Sequence, residues 1–225
     1  MPSEPVRKRQ PWPRSGIIGT PGFRSFACWR EERMKKLQIH NWVEGLTAIR
    51  EREFTIERVH DYFSRHAIIP ESLDKYLFFS KGNYTRNLIH KCTLFECLAI
   101  CWEIGQVSRI HNHRGQHCWM ATPIGRLRVQ NFRVEDQDAS CGSCRLAPTD
   151  AYDMDPEHPA YVDPDQPVHQ VLNPAEYARQ AVSIHVYSYP YDSCEIYLRE
   201  QGKYMDVPLH YTSEYGKLNP SEKLL

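Results

Sequence analysis

Two histidines two residues apart, His111 and His113 in the run Ile-His-Asn-His, are the residues best placed for chemistry. On an extended strand alternate side chains share a face, so this pair can hold one metal ion. A helix would need a spacing of three or four. Neutral imidazole suits iron, copper, nickel and zinc about equally, so the pair names no metal. Histidines this close also occur on surfaces without any role, and the surrounding residues must decide. Ser183, His185 and Tyr187 alternate in the same way and point to one face, as do Tyr84 and Arg86. Taken alone, Arg86 is most simply a surface ion pair. The Cys141-Gly-Ser-Cys144 pair lacks the second half of a structural zinc site, and no βαβ pattern accompanies it. It reads as a turn that carries two thiols.

The spacing around the histidines is more specific. Gly105, His111, His113, Cys118 and Gly125 stand where the first motif of the cupin superfamily has its glycines and metal ligands, and the place of Cys118 is usually a glutamate in that motif. Pro164, Gln166, His169 and Asn173 resemble the second motif, with Gln166 and His158 standing where glycines are common. A cupin with cysteine in the glutamate position resembles the cysteine dioxygenase family. Four further stretches carry that resemblance: Asn-Tyr-Thr-Arg-Asn at 83–87, His-Asn-His-Arg-Gly-Gln-His-Cys at 111–118, Val-His-Gln-Val-Leu-Asn at 168–173 and Ser-Ile-His-Val-Tyr-Ser-Tyr-Pro-Tyr-Asp at 183–192. The family often has aspartate where Asn112 stands here.

The resemblance implies an Fe(II) centre on His111, His113 and His169, with O2 as co-substrate and a small thiol as substrate. Three imidazoles bring no negative charge, whereas the usual facial triad of oxygenases includes a carboxylate. A substrate thiolate would complete the charge, and both oxygen atoms would end on sulfur as a sulfinic acid. Arg86 would grip the carboxylate of L-cysteine through its fork of donors, supported by Tyr84. Tyr187 would lie near the substrate, with His185 and Ser183 hydrogen-bonded behind it. The same family precedent implies a thioether between Cys118 and Tyr187. Two alternatives stay open. One is a different small thiol such as 3-mercaptopropionate; the other is a metal-binding cupin that senses without turnover. A zinc or manganese isomerase or hydrolase would more naturally keep the glutamate.

The elements that must position these residues can be read from periodicity. Ile39, Trp42, Leu46 and Ile49, then Ile56, Val59, Tyr62 and Phe63, repeat at helical spacing, with Thr55 as an N-cap and Pro70 as a stop. After Pro70 the pattern becomes short strands, expected at 83–90, 95–103, 108–112, 118–122, 126–134, 168–172 and 181–187. Residues 153–167 read as a Pro/Asp-rich loop and 197–225 as irregular or edge strand. Cys92, Cys97, Cys101, Trp102, Trp119 and Phe132 read as core. The fold class is therefore mainly β, a cupin-type barrel or sandwich with a short N-terminal helical segment. Residues 1–35 are expected to be a basic Pro/Gly-rich arm and 36–225 a single domain.

Composition narrows the partners. The 28 basic and 28 acidic residues cancel, which leaves no global field for nucleic acid or an anionic membrane. No apolar run approaches the ~20 residues that span a bilayer. The apolar part of the N-terminal stretch, 16–26, is broken by Gly, Pro and Arg, so a secretory signal is not expected. The 8 cysteines are then expected to be reduced thiols of a cytoplasmic monomer, although the acid-poor start would also suit a mitochondrial address.

Overall fold

The structure, a computed structural model, describes residues 34–221. The basic arm expected at 1–35 lies almost wholly outside the described residues. Strand β1 (Lys35–Leu37) leads into helix α1 (Ile39–Thr47), and α2 (Ile56–Arg65) follows. At nine residues α1 is shorter than the ~12–15 that hold alone in water, so tertiary packing must sustain it. Its apolar face, Ile39, Trp42, Val43 and Leu46, is buried throughout. Thr55 caps α2 as expected, its hydroxyl accepting from the Arg58 N–H at 3.3 Å. Trp42 and Phe63 meet edge to face at 4.8 Å, and the Tyr62 hydroxyl donates to the Trp42 carbonyl, which locks the two helices together. Pro70 is not the stop that its position suggests. The chain leaves the helix at Arg65 because β2 (His66–Ile68) pairs in parallel with β1, and Pro70 instead opens a 3-10 turn, Pro70–Tyr76.

The remaining strands are β3 (Thr85–Lys91), β4 (Phe95–Trp102), β5 (Ile110–His111), β6 (Cys118–Ile124), β7 (Leu127–Asp138), β8 (Ser143–Met154), β9 (Ala160–Tyr161), β10 (Val168–Leu172), β11 (Ala181–Ser188), β12 (Ser193–Leu198), β13 (Lys203–Pro208), β14 (Ser213–Glu214) and β15 (Lys217–Leu218). Six of them close a barrel in the order β10-β5-β12-β13-β8-β7, and seven form a sheet in the order β15-β14-β3-β4-β11-β6-β9. This is the mainly β, cupin-type architecture expected, with α-helices only at the start of the described chain. Among the described residues no helix is long and apolar enough to cross a membrane.

Strands β4 and β11 are buried at every position, so they show no apolar–polar alternation. Their Cys97, Ala99, Cys101, Val182, Ile184 and Val186 pack with the helices. Leu98, Ile100, Trp102 and Tyr187 turn the other way, toward Leu127, Val129, Met154 and Val171 of the barrel. On that inner face Ser183 and His185 are polar and fully enclosed, which makes them exceptions to explain.

Three expectations need correction. Strand β8 runs from Ser143 through Met154, where a turn and the start of a loop were expected; Pro148, normally a strand breaker, sits beside the register shift between Gln130 and Phe132. In the tail expected to be irregular or edge strand, β13 and the end of β12 are instead paired strands within the barrel, and β12 supplies a central wall of it. Residues 108–112 form only a two-residue strand. Two motif residues acquire a physical reason. Gly125 has φ +82, and a Cβ there would lie 2.7 Å from the Gln180 carbonyl, so the position excludes any side chain. Asn173 is fully buried and its side-chain amide donates to the carbonyls of Glu103 and Arg179, while its backbone carbonyl accepts from the Gly105 N–H at 2.8 Å. The ends of the two motifs are thereby tied to each other.

Candidate metal centre

His111 lies on β5 and His169 on β10, and the two are direct partners across the antiparallel pair. His113 follows two residues after His111, so alternation brings its ring to the same side. One nitrogen from each of the three rings lies within 4.8 Å of the others, and the ring centroids are 4.7 to 5.2 Å apart. Asn112, between the two histidines, points outward and donates to the Glu195 carboxylate and to Tyr197, which pins β5 to β12.

The protonation pattern suits a cation. The His111 Nδ1 lies 2.8 Å from the Arg109 carbonyl, which can only accept, so Nδ1 carries the hydrogen and Nε2 keeps a free lone pair. His113 and His169 are buried with no hydrogen-bond partner on any ring nitrogen among the described residues. Unpartnered buried nitrogens of this kind need a ligand to account for them. His111 is pushed down to about 4, chiefly by burial. Burial, reinforced by the neighbouring histidines, holds His113 and His169 well below the usual imidazole range. All three are neutral near pH 7, the state in which imidazole ligates a metal.

The cluster opens on a cavity of about 480 Å³ lined by Tyr84, Arg86, Arg109, His111, Tyr191 and Cys194, among others. Arg86 projects from β3, and its Nε and Nη2 are buried without a partner. Its guanidinium lies 5.9 Å from the centre of the Tyr187 ring. Tyr84, one residue before β3, stacks on Trp102 at 4.6 Å. A second hollow of about 540 Å³, near Gly125 and Tyr177, is lined by residues already ion-paired, such as Arg126 with Asp155, and lies away from the histidines.

Residues 37–200 match the family model described as cysteine dioxygenase type I. The chain belongs to the cysteine dioxygenase type I family. It is similar to cysteine dioxygenase type 1 of Danio rerio, 27% identical over 85% of this chain and 94% of that one. The Homo sapiens protein of the same name is 26% identical over 75% of this chain and 82% of its own. A Klebsiella pneumoniae structure with a double-stranded β-helix domain is 14% identical, with a TM-score of 0.38 over 52% of this chain and 81% of that one. At that distance it adds nothing to the assignment.

In this cysteine dioxygenase family member the inner face of β11 forms a hydrogen-bonded chain. The Trp102 indole N–H donates to Ser183 Oγ at 3.0 Å; Ser183 Oγ lies 2.9 Å from His185 Nε2, and His185 Nδ1 lies 3.0 Å from the Tyr187 hydroxyl. The indole can only donate, so Ser183 satisfies its own O–H by donating to His185 Nε2. His185 is pushed down to about 3, chiefly by burial, and is neutral. Its Nδ1 then carries the hydrogen and donates to Tyr187. Arg86 also reaches the Tyr187 hydroxyl oxygen, and the Tyr187 O–H is left free to donate. Cys118 on β6 is the cross-strand partner of Tyr187, and its Sγ lies 4.0 Å from His185 Nδ1. Of the residues singled out from the sequence, Tyr84, Arg86 and His111 line the cavity, while His113, His169, Tyr187, His185, Ser183 and Cys118 are buried behind it. The structure adds Trp102, expected only as core, and Arg109, Tyr191 and Cys194, which drew no attention. Tyr191, edge to face with Tyr187 at 5.3 Å, lay inside the 183–192 stretch and could have been found by asking what its third tyrosine does.

Proposed function

We propose that the protein is an iron-dependent dioxygenase that converts L-cysteine and O2 into cysteine sulfinic acid. The observation that carries this reading is a three-histidine cluster without a carboxylate, beside a cavity that also holds a buried guanidinium with unpartnered nitrogens. When bound, ferrous iron supplies a cationic centre for a thiolate and for dioxygen chemistry. His111, His113 and His169 would hold it, and being neutral they leave room for an anionic sulfur.

The other residues bind and orient. Arg86 accepts the substrate carboxylate on its two unpartnered nitrogens and so aims the thiol at the histidines. The free Tyr187 O–H donates a hydrogen bond to the substrate, held in place by the His185–Ser183–Trp102 chain behind it. Tyr191 and Ile196 wall the cavity and exclude water. The reaction balances without an external reductant: the thiol S–H and both atoms of O2 become a sulfinic acid.

The test is a comparison of kcat/KM for L-cysteine and 3-mercaptopropionate in iron-loaded protein. L-Cysteine is expected to be favoured by about tenfold or more, the scale on which one site separates close analogues. The opposite order would move the assignment to an amine-free thiol. Stoichiometric metal without oxygen uptake for either thiol would point to a sensor.

The register of Cys118 beside Tyr187 also supports a thioether between Sγ and a ring carbon next to the phenol. Its formation removes one hydrogen from sulfur and one from the ring, with O2 as the acceptor of both. Protein produced with iron and oxygen is expected to yield a linked peptide lighter by two hydrogens than its parts. Peptide maps that return only the separate Cys118 and Tyr187 peptides would rule the bond out.

A further inference from the structure

The cavity carries a charge that the proposed chemistry at Arg86 does not use. Arg109 lines the same cavity, is exposed, and has no ion pair or side-chain hydrogen bond among the described residues. Its backbone carbonyl is the acceptor that orients His111, so the backbone from which the side chain springs is fixed beside the histidine cluster. The charge of Arg109 also reaches the Tyr84 hydroxyl inside the cavity. Arg86 and Arg109 both contribute to the lining, and no aspartate or glutamate does. This is notable in a chain whose 28 basic and 28 acidic residues balance. The nearby acids Asp192 and Asp206 line a separate hollow that shares only the wall from Val207 to His210, and Asp206 is engaged by Arg114. Positive charge is thus concentrated at one opening of a neutral protein, where low-dielectric walls focus it.

The cavity also has room for more than one carboxylate. Its volume of about 480 Å³ falls within the ~300–1,000 Å³ of pockets that enclose ligands larger than a single amino acid. Two guanidinium groups with nitrogens left unpartnered, one deep and one at the mouth, match a thiol with two anionic groups. We propose that Arg109 is a second anion-recognising residue, which makes thiols bearing an additional acidic group a preferred substrate class of this pocket. The inference rests on the thiol dioxygenase reading, and adds a specificity to it that the deep arginine alone does not supply.

The two probes are 3-mercaptopropionate and mercaptosuccinate, which share a three-carbon thiol acid skeleton and differ by one carboxylate. Their affinities are measured by anaerobic titration calorimetry on iron-loaded wild type and on the Arg109→Lys, Arg109→Ala and Arg109→Glu variants, at low and high salt. Wild type is expected to bind mercaptosuccinate more tightly by about 3- to 10-fold at low salt, with the preference shrinking as salt screens it. Arg109→Lys should keep most of that ratio, Arg109→Ala should abolish it and Arg109→Glu should invert it. A purely structural role for Arg109 would not order the ratios by charge. Equal affinities in wild type, or a ratio indifferent to the charge at 109, would overturn the inference while leaving the dioxygenase reading intact. Wild type that binds neither thiol would overturn both.

Discussion

Replacing Arg86 by alanine is expected to raise KM for L-cysteine by about 30- to 1,000-fold, which corresponds to the ~2–4 kcal/mol lost when a buried charge-assisted pair is broken. Two of its nitrogens are enclosed and bond to nothing among the described residues, so the guanidinium is held ready for an anion that the fold does not provide. The same change should alter folding stability far less than substrate affinity, because two of the guanidinium nitrogens hold nothing in the empty site. That contrast separates a binding role from a structural one. Arg86→Lys should recover only part of the affinity, since an ammonium lacks the planar fork. Steady-state kinetics and denaturant unfolding of the same preparations check both halves, and a normal KM in Arg86→Ala would remove the reason for favouring an amino-acid substrate.

Replacing His169 by alanine is expected to abolish turnover and to reduce bound iron from about one per chain to a small fraction. The loss of affinity should exceed the ~10- to 100-fold that outer hydrogen-bond partners of a metal site contribute. His169 is fully buried, has no partner on either ring nitrogen and faces His111 across the β5–β10 pair, so nothing else can fill its place. A second readout is thermal. Metal at about 100 times its Kd should stabilise wild type by ~2.7 kcal/mol, and should leave the midpoint of His169→Ala unmoved. Equal metal-induced shifts in both proteins would show that the ion binds elsewhere.

How much of this site could be read in advance depended on how local its geometry is. The His111–His113 pair declares itself because strand alternation is a two-residue rule, and the same rule put Ser183, His185 and Tyr187 on one face. His169 could be assigned only through the second motif, since its cross-strand meeting with His111 is a long-range event that no periodicity records. Trp102 is core as expected, but its hydrogen bond to Ser183 is not legible in the sequence, because β4 is buried on both faces and nothing local distinguishes the side that reaches Ser183. The barrel wall formed by β12 and β13 was missed for the opposite reason. Strand β13 is half exposed and carries lysine and aspartate among its apolar residues, so its pattern is weak and only pairing with β12 makes it a strand. That omission hid most of the far side of the cavity, and with it Cys194 and the neighbours of Arg109.

The most direct measurement is oxygen consumption by anaerobically iron-loaded protein on addition of L-cysteine, with cysteine sulfinic acid quantified in the same sample. Three neutral imidazoles near the two unpartnered nitrogens of Arg86 predict rapid uptake, with one sulfinate formed for each O2 consumed. Uptake that yields disulfide and peroxide instead, or no uptake with a full complement of iron, would contradict the account.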